Sequence, residues 1–120
     1  LGDGTINNSS TPVLVQLPGS SRFKAIAAGG DFGAGVRSDG TLWSWGRNHD
    51  GQLGDGTRTD RQQPVRAVNV SNVVGVDGGS VHNLIITPSR GPFAVGANGW
   101  GALGQPLAGF RATRYTRFGF

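Results

Sequence analysis

Ser38-Asp39-Gly40-Thr41-Leu42-Trp43-Ser44-Trp45-Gly46-Arg47-Asn48-His49-Asp50-Gly51-Gln52-Leu53-Gly54-Asp55-Gly56-Thr57 runs from a turn signal through an aromatic strand into a glycine-rich loop. Its last five residues repeat Leu1-Gly2-Asp3-Gly4-Thr5 at an offset of 52, and Pro64 repeats Pro12 at the same offset. Trp45-Gly46 returns as Val95-Gly96, and Asn48, Gly51, Leu53 and Gly54 return as Asn98, Gly101, Leu103 and Gly104, each 50 residues on. Gly29-Gly30 returns as Gly78-Gly79 at an offset of 49. Glycine bias alone does not keep these landmarks in one order, so the chain carries an internal repeat of about 50 residues.

Each repeat reads as four short strands. Val13 to Leu17 follows a proline, Phe23 to Ala28 ends at Gly29-Gly30, and Gly33 to Arg37 ends at the Asp39-Gly40 turn, a pair suited to positive φ. Thr41 to Trp45 is an aromatic strand. The next unit offers Val65 to Val68, Val73 to Val76, Asn83 to Thr87, a turn from Pro88 to Pro92, and Phe93 to Val95. No stretch has helical periodicity. The fold class is therefore all-β, a partial β-propeller of two to three four-stranded blades. The expected units are residues 1–46 (the back of one blade), 47–96 (a central blade), and 97–120 (the start of a divergent third with a basic tail). The opening Leu1-Gly2-Asp3 falls mid-repeat, so the chain reads as a piece of a longer protein. Such a piece cannot close a ring, and its outer blades need the missing blades of the same full-length chain as partners.

Composition narrows the function. Glycine supplies 22 of 120 residues, which fits an all-β chain dense in tight turns. The absence of cysteine excludes disulfides, zinc–thiolate sites and cysteine nucleophiles. No apolar run approaches the roughly 20 residues of a membrane span. All seven acids are aspartate, at 3, 31, 39, 50, 55, 60 and 77, and ten of the eleven basic residues are arginine. The net charge of +4 falls to +1 without Arg111, Arg114 and Arg117 (4 − 3 = 1), so a nucleic-acid footprint across the fold is not expected. Those three arginines, interleaved with Phe110, Tyr115, Phe118 and Phe120, either contact an acidic partner or nucleic acid, or form a divergent strand or solvated tail.

Little here carries reaction chemistry. Asp77, Ser80 and His82 make a triad only on paper, with no nucleophile-elbow pattern around the serine. Five Asp-Gly pairs lack the spacing and the closing glutamate of a calcium loop, and turn chemistry explains them. No catalytic residue, metal ligand or cofactor is assigned. Gly46, Gly51, Gly54 and Gly56 hold turns, Asn48 and Gln52 satisfy backbone groups, and Trp45 and Leu53 pack between blades. Trp43 or Trp45 lining a binding surface is the functional alternative.

The 38–57 stretch closely resembles the repeat of the regulator of chromosome condensation family, with weaker copies at the N-terminus and at 93–104. The resemblance covers residues 1–104 and ends at Gln105. The family places a His shortly after the double glycine. His82 stands there in the second unit, one residue late after Gly78-Gly79, and Phe32 stands there in the first. The resemblance implies a protein-interaction module that presents loops to a protein partner, with Arg47, His49, Asp50 and Arg58 as the exposed loop residues. It also offers guanine-nucleotide exchange on a small GTPase, or an architectural repeat in a bacterial surface or secreted protein. The Trp-Ser-Trp-Gly and Leu-Gly-Asp-Gly-Thr wording looks like bacterial members, which points to the extracellular side or the cell surface.

Overall fold

The computed structural model describes residues 1–19, 22–98 and 111–117. Eight strands form among the described residues, most of them from β-branched, aromatic or small residues between glycine turns. These are β1 (Phe23–Ala28), β2 (Phe32–Arg37), β3 (Leu42–Gly46), β4 (Arg61–Arg66), β5 (Gly75–Gly78), β6 (His82–Thr87), β7 (Gly91–Ala97) and β8 (Arg111–Arg117). They form two four-stranded sheets, ordered β1-β2-β3-β4 and β5-β6-β7-β8, with every neighbouring pair antiparallel. The two sheets span residues 23–66 and 75–117, so the 47–96 sequence unit contributes the outer strand of one sheet and three strands of the next.

Several details differ from the reading of the sequence, among them β5, which starts at Gly75 rather than Val73, and Pro92, which lies in β7 rather than in a turn. Val13 to Leu17 is not a strand. Among the described residues no strand pairs with it, and a lone extended segment has no ladder to join. The strand expected at Val65 to Val68 begins earlier, at Arg61, and includes Pro64. It is an outer strand whose one strand neighbour is β3, so a missing N–H is tolerated. The basic tail supplies β8, which pairs with β7 from Ala97↔Arg111 to Phe93↔Arg117. Residues 99–104 of the third motif copy, together with Phe110, Phe118 and Phe120, lie outside the described residues.

Strand register gives the repeat an offset of 50 throughout. Phe32 pairs with Gly46 and His82 with Gly96; Ile26 pairs with Gly35 and Val76 with Ile85. Gly29 therefore corresponds to Gly79, and His82 takes the place of Phe32 with no extra residue between. In both blades that ring lies over the glycine three positions before it, and a Cβ there would collide with it. The two corners also touch: Gly30 N–H reaches the Gly79 and Ser80 carbonyls at 3.2 Å each, and a Cβ on Gly78 would stand 2.8 Å from the Ala28 carbonyl oxygen. β1 and β5 are the strands that approach each other across the sheets, so they are the inner strands of adjacent blades.

The core lies between the blades. Ala34, Val36 and Leu42 from one sheet meet Ile85, Phe93, Val95 and Tyr115 from the other, with Ala67, Val70 and Val73 of the connector closing one end. Each fully buried Val, Leu or Ile side chain contributes about 1.5–3 kcal/mol of transfer free energy. Equivalent positions show where the packing stops. Val36 is 0% exposed and its counterpart Ile86 is 55% exposed, while Val76 packs on the core and its counterpart Ile26 is 72% exposed. One inter-blade interface is complete, and the same two faces stand open at either end.

Candidate partner-binding rim

The rim is formed by the β1–β2 corner and the long loop from β3 to β4, which leave the sheet at the same end. Gly46 makes the exit possible. It has φ +103°, and a Cβ there would sit 2.6 Å from the Asp31 carbonyl oxygen, which accepts the Arg47 N–H at 2.9 Å. Gly96 in the second blade has φ +109°, and Ala97 N–H donates to the Val81 carbonyl at 2.9 Å.

Asn48 organises the loop from inside. Its Oδ1 accepts the Leu53 N–H at 3.0 Å. Its Nδ2 faces Asp55 Oδ1 at 3.2 Å and the Thr57 and Thr59 carbonyls at 3.0 Å each. Gln52, fully buried, accepts the Asp50 N–H on Oε1 at 3.0 Å, and Ser44 Oγ donates to the Leu53 carbonyl at 2.6 Å. Asp55 Oδ1 accepts both the N–H and the hydroxyl of Thr57, at 2.9 and 2.7 Å, and its Oδ2 takes Arg61 Nε at 2.9 Å. Burial alone would raise the Asp55 carboxyl, but the hydrogen bonds from Thr57, Arg61 and Asn48 outweigh it and hold the pKa below the ordinary carboxylate value.

Leu53 to Thr57 then clasps the neighbouring blade. Gly56 N–H donates to the Thr113 carbonyl of β8 at 2.9 Å, Val68 N–H donates to the Gly54 carbonyl at 3.0 Å, and a Cβ on Gly54 or Gly51 would collide with β8 at Tyr115 or Thr113. Residues 1–16 repeat this clasp on the first sheet: Gly4 N–H reaches the Gln62 carbonyl at 3.0 Å, Gln16 N–H reaches the Gly2 carbonyl at 2.8 Å, and Gly2 lies against the Trp45 ring. Trp45 also stacks at 5.8 Å from Phe23 and covers Gly33, on the side facing the open cleft of about 910 Å3 between β1 and the N-terminal segment.

On this rigid loop sit the residues singled out as contacts. Arg47 and His49 are exposed and face carboxylates, Arg47 Nη1 at 3.5 Å from Asp31 Oδ2 and His49 Nε2 at 3.5 Å from Asp60 Oδ2. Arg58, also exposed, donates from Nε to the His49 carbonyl at 2.6 Å. Asp50 is half-buried in the same turn. Asp60 ties the group to the loop by accepting the Asn48 N–H at 2.8 Å. Neither Asp31 nor Asp60 was legible as a site residue, because their partners lie 16 and 11 residues away and only the loop's course unites them. Gly78, Gly79 and His82 belong to the axial corner instead. No hydrogen bond or ion pair joins Asp77, Ser80 and His82 to one another, and among the described residues no three His, Cys, Asp or Glu side chains gather to hold a metal.

Two adjacent four-stranded blades, joined by a recurring loop clasp and open at both faces, define a segment of a β-propeller. Models of the Regulator of chromosome condensation (RCC1) repeat match residues 39–86 and 23–52, and the chain belongs to this repeat family. It is 34% identical over 107 residues to the Arabidopsis thaliana ultraviolet-B receptor UVR8, an alignment covering 88% of this chain and 24% of that protein. Human WBSCR16 superposes with a TM-score of 0.85 at 20% identity over 99% of this chain and 32% of that one. Prp20p from Saccharomyces cerevisiae, whose structure is described with its binding properties to Gsp1p and histones, superposes with a TM-score of 0.78 at 22% identity over 88% and 27%. The solved structures share the fold, and this chain spans about a quarter to a third of the length of these proteins.

Proposed function

We propose that these blades belong to a propeller that works as a protein-interaction module, and that the rim carrying Arg47, His49, Asp50 and Arg58 is a contact surface for a protein partner. The supporting observation is the contrast within one loop. Its interior is held by Asn48, Gln52 and Asp55, while Arg47, His49 and Arg58 project from it into solvent. A loop ordered before binding loses little further entropy when a partner docks. The exposed Arg47–Asp31 ion pair contributes little to stability, which leaves its charges available for recognition. The binding of Prp20p to Gsp1p and histones is in line with this use of the fold. The test is alanine at all four positions in the full-length protein, read by calorimetric titration against a partner isolated with the unmodified protein. Weakened binding with an unchanged melt supports the rim as the contact; unchanged affinity removes it.

A further inference from the structure

We propose that the opposite end of the blades is a second interaction surface, built to receive an acidic polypeptide segment of a partner protein. This inference does not depend on the rim described above. The opposite end carries the β2–β3 turn, the β6–β7 turn, the start of β1 and the end of β4. Four cations cluster on the first blade there: Arg22 and Lys24 at the start of β1, Arg37 at the end of β2 and Arg66 at the end of β4. Arg90, in the β6–β7 turn, adds a fifth on the second blade. Asp39 is the one acid among the described residues at this end. The other six aspartates all lie toward the clasp end, in the β1–β2 corner, the 47–60 loop, the last turn of β5 or beside Gln62. Counted over these side chains, five cations against one acid leave a charge of +4 (5 − 1 = 4), as large as the net charge of the whole chain.

Among the described residues, none of the five cations stands within ion-pair distance of a carboxylate. The ion pairs Arg47–Asp31 and Arg61–Asp55 and the His49–Asp60 contact are at the clasp end. Asp39 spends its Oδ1 on the N–H and hydroxyl of Thr41, at 3.0 and 2.6 Å, and forms no ion pair. Arg37 is only 7% exposed, lies 5.2 Å over the Trp43 ring, and its Nε finds no hydrogen-bond acceptor among the described residues. Contact with the indole limits the orientations open to the Arg37 guanidinium, and a carboxylate matches an arginine fork with two parallel hydrogen bonds. Arg90 is placed in the same manner, 5.3 Å over Phe93.

The same geometry favours carboxylates over nucleic acid. Single strands are gripped by bases stacking on open aromatic faces; here Trp43 and Phe93 already carry an arginine and Phe23 is stacked on Trp45. A duplex needs cations spaced along a phosphate track, whereas here four of the five sit at one end of one sheet.

The experiment uses the full-length protein and two probes, a fluorescein-labelled ten-residue polyglutamate peptide and a duplex DNA of matched charge, followed by anisotropy at about 0.15 M salt. R22E/K24E/R66E, all at exposed positions, is expected to weaken peptide binding at least about tenfold, while R47A/R58A changes it less than about twofold. Both variants should melt as the parent does. If the charge reversals disturb folding, K24Q/R66Q replaces them, with a loss of about threefold expected. Peptide affinity indifferent to either variant at this end, or weakened equally by R47A/R58A, overturns the proposal. Tighter binding of the DNA than of the peptide overturns it in favour of a nucleic-acid surface.

Discussion

At the residue scale, the stability of the rim rests on a few side chains whose partners are backbone groups. Gly46 combines a φ of +103° with a carbonyl where a Cβ would be. Gly46→Ala should lower stability by about 1–3 kcal/mol, read as a shifted denaturant midpoint with an unchanged slope. Asn48→Ala strands the buried Leu53 N–H and is expected to cost about 1–3 kcal/mol, with faster amide exchange at Leu53 as the local sign. Asn48, Gln52 and the turn glycines could be named because they fall at fixed positions of the recurring motif. Asp31, Asp60 and Arg61 could not, since an aspartate or arginine in a loop looks alike whether it faces solvent or closes a network.

The element that matters most is the clasp, the Leu-Gly-Asp-Gly-Thr loop that leaves one sheet and binds the outer strand of the next. Three Asp-Gly-Thr triplets form the same turn, with the threonine N–H and hydroxyl both on the aspartate Oδ1 at Asp3, Asp39 and Asp55. Only Asp55 among them also holds a cation, Arg61. Its pKa is depressed in the fold, so the ionised carboxylate is favoured by folding. That contribution is complete above the unfolded value, 3.8, and fades as the pH falls through the lower folded value. The melting temperature should therefore drop between about pH 5 and pH 3. Asp55→Asn should melt lower at neutral pH and show a smaller acid drop; an identical drop in the variant would place the sensitivity elsewhere. The tail that becomes β8 was ambiguous by sequence. Its strand character comes from pairing with β7 and from Gly51, Gly54 and Gly56, some sixty residues away, packing on it.

On the scale of the whole molecule, one inter-blade interface is built and two half-interfaces are exposed. Burial at equivalent positions makes the point: Ile26 and Ile86 stand in water where Val76 and Val36 are packed. Residues 1–120 alone are expected to self-associate on size exclusion and to melt with poor cooperativity by circular dichroism; a monomer with a sharp melt would show that water satisfies both faces. Ile26→Ser should change the stability of this isolated chain by less than about 0.5 kcal/mol. In the full-length protein, where a preceding blade would cover it, the cost should be about 1–3 kcal/mol.

The fifty-residue period, the strand-turn rhythm and the all-β propeller architecture were determined by the sequence, because glycine turns and short apolar runs impose their conformations locally and recur at a fixed spacing. The tertiary structure alone decided the register of 50, the equivalence of His82 with Phe32, the role of the basic tail as an outer strand, and the separation of charge between the two ends. Each of these depends on which distant segments meet across a sheet or between blades, and strand ends that alternate in direction bring together residues that a linear reading keeps apart.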